Sequence, residues 1–116
     1  MHEVAIVEAL IAQVEQEVRQ SGHPGRVVRL ELIIGRLSGV HPDSIRFALE
    51  VLAPGTVLEG ARVDIVEPPA YCSCQACGAR SLIRELTAAC PQCGNFSVTI
   101  EGGNELLLQS IELEDG

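Results

Sequence analysis

A chain of 116 residues, 47% apolar, has room for one ordinary core, or for a small core joined to a unit held by something other than apolar burial. Sixteen acids against eight arginines and no lysine give a net charge of −8, which argues against a nucleic-acid surface, because such a surface needs a basic stripe. Three aromatics leave the core to Leu, Ile, Val and Ala, and no apolar run approaches the roughly 18 residues of a membrane span.

From Val4 to Val18 the apolar residues Val4, Ile6, Val7, Leu10, Ile11, Val14 and Val18 recur mostly at steps of three and four, the period of a helix face. Ser21-Gly22 and Pro24 stop that helix. Arg26 to Gly35 alternates, with Val28, Leu30, Leu32 and Ile34 on one side, and predicts a strand. Leu37 to His41 reads as a turn. A second helix then opens at Pro42-Asp43-Ser44, with proline early and an acid near the positive end of the helix dipole. Ile45, Leu49 and Leu52, joined by Phe47, Ala48 and Val51, give it an apolar stripe that Pro54-Gly55 ends. A second strand is expected from about Ala61 to Glu67, and Pro68-Pro69 stiffens the exit from it.

All five cysteines follow between Tyr71 and Gly94. Cys74 and Cys77 form one C-x-x-C, Cys90 and Cys93 form a second, and twelve residues separate the pairs. Two such turns facing each other supply the tetrahedral four-sulfur shell of structural zinc. A glycine follows each pair, Gly78 and Gly94, and accepts the positive φ that lets the chain curl its amides back toward sulfur. Cys72 reads as a spare thiol beside the site, since a closed site takes four ligands.

Phe96 to Ile100 is a short strand expected to close this unit, and Gly102-Gly103 is a second break. Glu105 to Glu114 alternates again. A lone terminal strand would leave a hydrophobic edge, so it is expected to return to the strands of the first half. The implied architecture is α+β: residues 1–68 with 103–116 form one domain, and residues 69–102 form an inserted zinc ribbon held by its metal. A thiol-rich metal unit needs reduced cysteines, and no secretory leader pattern is present, so a cytoplasmic location is expected.

Taken together, Met1-His2-Glu3, the LIIGRLSGV and PDSIRFALEVL segments, the GT-x-x-EGA stretch from Gly55, the paired C-x-x-C turns and the GNELLLQSIEL ending resemble the HypA/HybF family of hydrogenase nickel-maturation proteins over the whole chain. The resemblance implies a nickel-binding domain of two helices and a three-stranded sheet, interrupted by the zinc ribbon. It implies a metallochaperone that passes Ni(II) to the large subunit of [NiFe]-hydrogenase together with the GTPase HypB. Some members also serve urease, through its accessory proteins. Several acid-responsive relatives carry histidine directly after a C-x-x-C. Gly78 and Gly94 stand there in this chain, so acid sensing by zinc-site histidines is not carried over.

The resemblance assigns nickel to Met1, His2 and Glu3, and zinc to Cys74, Cys77, Cys90 and Cys93. The chemistry is apt: the His2 imidazole, its backbone amide and the Met1 amine can close small chelate rings, and Ni(II) favours square-planar or tetragonal nitrogen sites. On residue content alone, His2 reads as a frayed terminal histidine. His23 beside Pro24 and His41 beside Pro42 read as exposed loop residues, and Glu8 and Glu15 as a solvated helix face. No nucleophile triad, paired-carboxylate or phosphate-loop pattern is present, so a non-enzyme is expected. Two other classes stay open: a zinc-ribbon adaptor without a nickel role, and a dithiol redox protein.

Overall fold

The structure, a computed structural model, describes residues 3–22 and 26–114. Helix α1 spans Glu3–Ser21 and buries Val7, Leu10, Ile11 and Val14, the inner part of the expected stripe. Val4 is 56% exposed and belongs to the other side. The helix closes where the Gly22 amide, at φ 68°, bonds the Arg19 carbonyl at 3.2 Å. Strand β1 is Val27–Ile34, with Val27, Leu30, Leu32 and Ile34 inward. Val27 takes the place expected for Val28, so the alternation changes phase across Val28-Arg29, where the Arg29 guanidinium donates to Asp64 at 2.7 Å.

Helix α2, Pro42–Leu52, begins as its proline and Asp43 predict and buries Ile45, Ala48 and Leu49. Phe47 and Val51, expected in the stripe, are 67% and 60% exposed. They lie four apart on the opposite side of the helix, which the 3.6-residue period requires once Ile45 and Leu49 point inward. Strand β2 is Arg62–Val66. Before it, the Arg26 guanidinium donates to the Glu59 carbonyl at 2.9 Å, and Leu58 is buried.

The last strand of the chain, Leu106–Leu113, does return: the sheet order places it beside β1, with β2 on the other side. A bond from the Gly35 amide to the Glu105 carbonyl at one end, and from the Glu114 amide to the Arg26 carbonyl at the other, makes the pair antiparallel.

Between these lie three strands absent or displaced in the sequence expectation. Strand β3, Ala70–Cys74, and strand β4, Arg80–Ile83, occupy what reads as a cysteine loop, and strand β5 is Val98–Gly102 rather than Phe96 to Ile100. The carbonyl of Ser97 is taken by the Gln75 amide at 2.8 Å and its amide by the Asn95 side chain at 2.8 Å, which delays β5 to Val98. The sheet order is β4-β3-β5, antiparallel on both sides, with Cys72 opposite Ser81 and Ile100. The last strand, Leu106–Leu113, is β6.

The chain divides into two compact units. One is formed by Ile33–Gly39 with Val66–Leu107, and the other by the remaining described residues. The cysteine unit thus includes a piece of chain from far upstream. Its amides are bonded in succession: Gly35 to the Glu105 carbonyl at 2.7 Å, Arg36 to the Pro68 carbonyl at 3.0 Å and Leu37 to the Gly103 carbonyl at 2.6 Å. Leu37 packs with Val98 and Ile100 against buried Ala70, Cys72 and Ile83. Gly35 has to be glycine, because a Cβ there would stand 2.2 Å from the Gly103 carbonyl oxygen.

Candidate metal centre

Each C-x-x-C closes by the same main-chain bonds. In the first, the Cys74 amide bonds the Ala79 carbonyl at 2.9 Å and the Gly78 amide bonds the Cys74 carbonyl at 3.0 Å. In the second, the Cys90 amide bonds the Asn95 carbonyl at 2.8 Å and the Gly94 amide bonds the Cys90 carbonyl at 2.9 Å. Gly78 and Gly94 sit at φ 75° and 78°, the left-handed conformation that both turns require. Amides then point at the first sulfur of each turn: Cys77 N–H to Cys74 Sγ at 3.4 Å and Gln92 N–H to Cys90 Sγ at 3.3 Å. Ahead of Cys90 the chain is turned by Thr87, whose hydroxyl donates to the Ala89 carbonyl at 2.8 Å.

The two turns bring Cys74, Cys77, Cys90 and Cys93 together with all four sulfurs within 4.8 Å of one another. Cys74 Sγ stands 3.6 Å from Cys93 Sγ, and Cys77 Sγ 3.7 Å from Cys90 Sγ. Four sulfurs at the usual zinc–sulfur bond of about 2.3 Å form a tetrahedron with edges of about 3.8 Å, so the donor set fits a tetrahedral thiophilic ion. Among the described residues this is the one group of ligating side chains so arranged.

Without an ion, four thiols compete for few protons. The Cys77 amide at Cys74 Sγ, outweighing desolvation, lowers that thiol to about 7, and the Cys93 amide likewise lowers Cys90. At Cys93 the Asn95 amide lowers the pKa but is outweighed by desolvation and by the neighbouring sulfurs, which push the thiol up to about 12. Cys77 is raised in the same way, against the Ala79 amide. Crowding that makes the last protons hard to remove is the crowding that a divalent cation relieves.

Cys72 stays out of the cluster. Period two puts Ala70, Cys72 and Cys74 on the same face of β3, but Cys72 is 1% exposed within the small core, and burial raises its thiol pKa. The AYCSC alternation was a legible strand signal, masked by the cysteine motif around it.

The nickel residues fall differently. Met1, His2 and His23 lie outside the described residues. Glu3 is the first residue of α1, 7% exposed, and with Val4 it lines a cleft of about 440 Å³ whose other wall is Asp43, Phe47 and Val51 of α2. His41 is the exposed residue before α2. Glu8 is exposed and Glu15 half-buried. Among the described residues no helix is long and apolar enough to cross a membrane.

The family profile described as "Hydrogenase/urease nickel incorporation, metallochaperone, hypA" matches residues 1–113. The hydrogenase maturation factor HypA of Chlorobium limicola is 40% identical over 116 residues, covering 100% of this chain and 99% of its own length. That of Streptomyces avermitilis is 39% identical, covering 100% and 89%. Among solved structures, the Ni metallochaperone HypA from Helicobacter pylori superposes with a TM-score of 0.66 at 28% identity, covering 97% of each chain.

Proposed function

Because the chain belongs to the HypA family of hydrogenase and urease nickel-incorporation proteins, we propose that it carries Ni(II) on Met1, His2 and Glu3 and holds a structural Zn(II) on Cys74, Cys77, Cys90 and Cys93. Like its family, it is a metallochaperone and maturation factor rather than an enzyme. The observation that carries the nickel reading is that the family match begins at residue 1 and so includes the Met-His-Glu start.

The amine of Met1 and the backbone and ring nitrogens of His2 are the in-plane donors. The metal supplies strong in-plane bonding that offsets the loss of an amide proton. Glu3 begins a regular helix, so the donors precede a rigid element directly. Its carboxylate lies where negative charge is stabilised by the helix dipole. The four thiolates give zinc a closed shell suited to holding structure, with no open position for a substrate. The GTPase HypB and the large subunit of [NiFe]-hydrogenase are the partners this reading calls for in the cytoplasm, with urease accessory proteins where urease is served. HypB is assigned to the N-terminal half along α1, so that cargo is handed over at the contact.

Calorimetric titration of Ni(II) into the wild type, His2→Ala and a protein with a short N-terminal tag tests the site. The ring is lost in one variant and the free amine in the other. Both should retain zinc and weaken nickel by more than about 100-fold, the upper end of what losing an outer-shell partner costs. Undiminished affinity in either variant puts nickel elsewhere and sinks the proposed cargo site, whereas failure of the wild type to bind nickel favours the adaptor reading.

A further inference from the structure

The four clustered sulfurs are not equivalent. Cys74 and Cys90 are each 4% exposed, whereas Cys77 and Cys93 are exposed. Two close sulfur–sulfur approaches run across the turns, and each joins one exposed sulfur to one buried sulfur: Cys93 to Cys74 at 3.6 Å and Cys77 to Cys90 at 3.7 Å. Every outer thiolate therefore has a shielded partner behind it, about 1.6 Å beyond disulfide bonding distance. Cys72, 1% exposed and inside the small core, offers no such access.

We propose that Cys77 and Cys93 form a modification site for hydroperoxides, and that oxidation runs across the turns into Cys77–Cys90 and Cys74–Cys93 disulfides and discharges the metal. The inference rests on the reading that these cysteines hold zinc. An outer thiolate attacks one peroxide oxygen; the S–O bond forms, the O–O bond breaks, and the leaving hydroxide takes a proton to become water. The buried partner's thiolate attacks the resulting sulfenic sulfur; the S–S bond forms and a second hydroxide leaves as water. For each disulfide, two sulfurs lose two electrons in total and one peroxide is reduced, with two protons taken up. Loss of two of four ligands leaves the ion too few donors for a closed shell. Thiol reductant reverses the change, which makes the cysteine unit responsive to oxidant while the N-terminal residues take no part.

The test uses full-length, zinc-loaded protein and hydrogen peroxide, with zinc read by a chromogenic chelator and disulfides by mass spectrometry of an unreduced tryptic digest. Cleavage at Arg62, Arg80 and Arg84 puts Cys72, Cys74 and Cys77 on the 63–80 fragment and Cys90 and Cys93 on the 85–116 fragment. The expected result is zinc release about tenfold faster than with chelator alone, a covalent pair of those two fragments, and full reuptake of zinc after reduction. The Cys72→Ser protein should behave identically. Zinc retained under peroxide overturns the proposal, and so do loops closed within a fragment, Cys74–Cys77 or Cys90–Cys93. Protein that holds no zinc before oxidant is added overturns the zinc reading and this inference with it.

Discussion

The two units of this chain solve the same problem with different chemistry. The helical unit buries Val7, Leu10, Ile11, Val14, Leu30, Ile45, Leu49 and Leu58, each contributing roughly 1.5–3 kcal/mol relative to exposure. The buried cluster of the cysteine unit is Ala70, Cys72 and Ile83, with Leu37, Val98 and Ile100 only partly covered. Such a core cannot offset the ordering of some fifty residues, so the difference falls to the metal proposed for its four clustered cysteines. A single chain can therefore contain one half whose stability follows apolar burial and another whose stability follows ligand chemistry.

The sharpest way to break the contrast is Cys90→Ser. Structural zinc in small domains is worth on the order of 10–16 kcal/mol, so this change should release the ion and disorder the cysteine unit. Metal analysis and amide exchange check it, and loss of protection in α1 as well would show that the two halves fold as one. Leu30→Ala is the converse probe. It should cost about 2–5 kcal/mol of the denaturant stability of the helical unit while zinc content stays at wild-type level; a fall in zinc content would deny the division.

Gly35→Ala is aimed at the upstream segment of the cysteine unit. The added methyl meets the Gly103 carbonyl, and such overpacking costs about 1–3 kcal/mol. Faster amide exchange at Leu37 is expected, with the α1 amides unchanged. The smallest effect is electrostatic. Asp64, bonded to Arg29 and Arg62, has a folded-state pKa below its ordinary value, chiefly through the Arg29 hydrogen bond. A depressed carboxylate stabilises the fold above the ordinary carboxylate range, and that stability is lost as pH falls through the folded pKa. Asp64→Asn should therefore flatten the acid limb of a Tm-against-pH scan near that range and leave neutral-pH zinc binding alone. An unchanged acid limb would remove Asp64 from the account.

Sequence periodicity located both helices, β1, β2 and the returning β6, because each carries several apolar residues that must share one face. It misassigned Phe47 and Val51, since apolar character does not say which side of a short helix is buried. The clustering of Cys74, Cys77, Cys90 and Cys93 was legible because spacing dictates the turn geometry. Strand β3 was missed because the cysteine motif masked its alternation, and β4 because its four residues, RSLI, are too few to show one. Least legible was the role of Gly35, Arg36 and Leu37. They read as the end of a strand and a turn, and their main-chain bonds to Pro68, Gly103 and Glu105 carry no side-chain signature.

That upstream segment bears on modularity. A ribbon excised at the Pro68-Pro69 and Gly102-Gly103 breaks looks like a portable cassette, the kind that could be exchanged between relatives by recombination or by design. Cut there, it would leave behind Leu37, which plugs its core, and the amides that bind both of its ends. A working graft has to carry residues 33–39 along with it, so the natural unit of exchange is discontinuous.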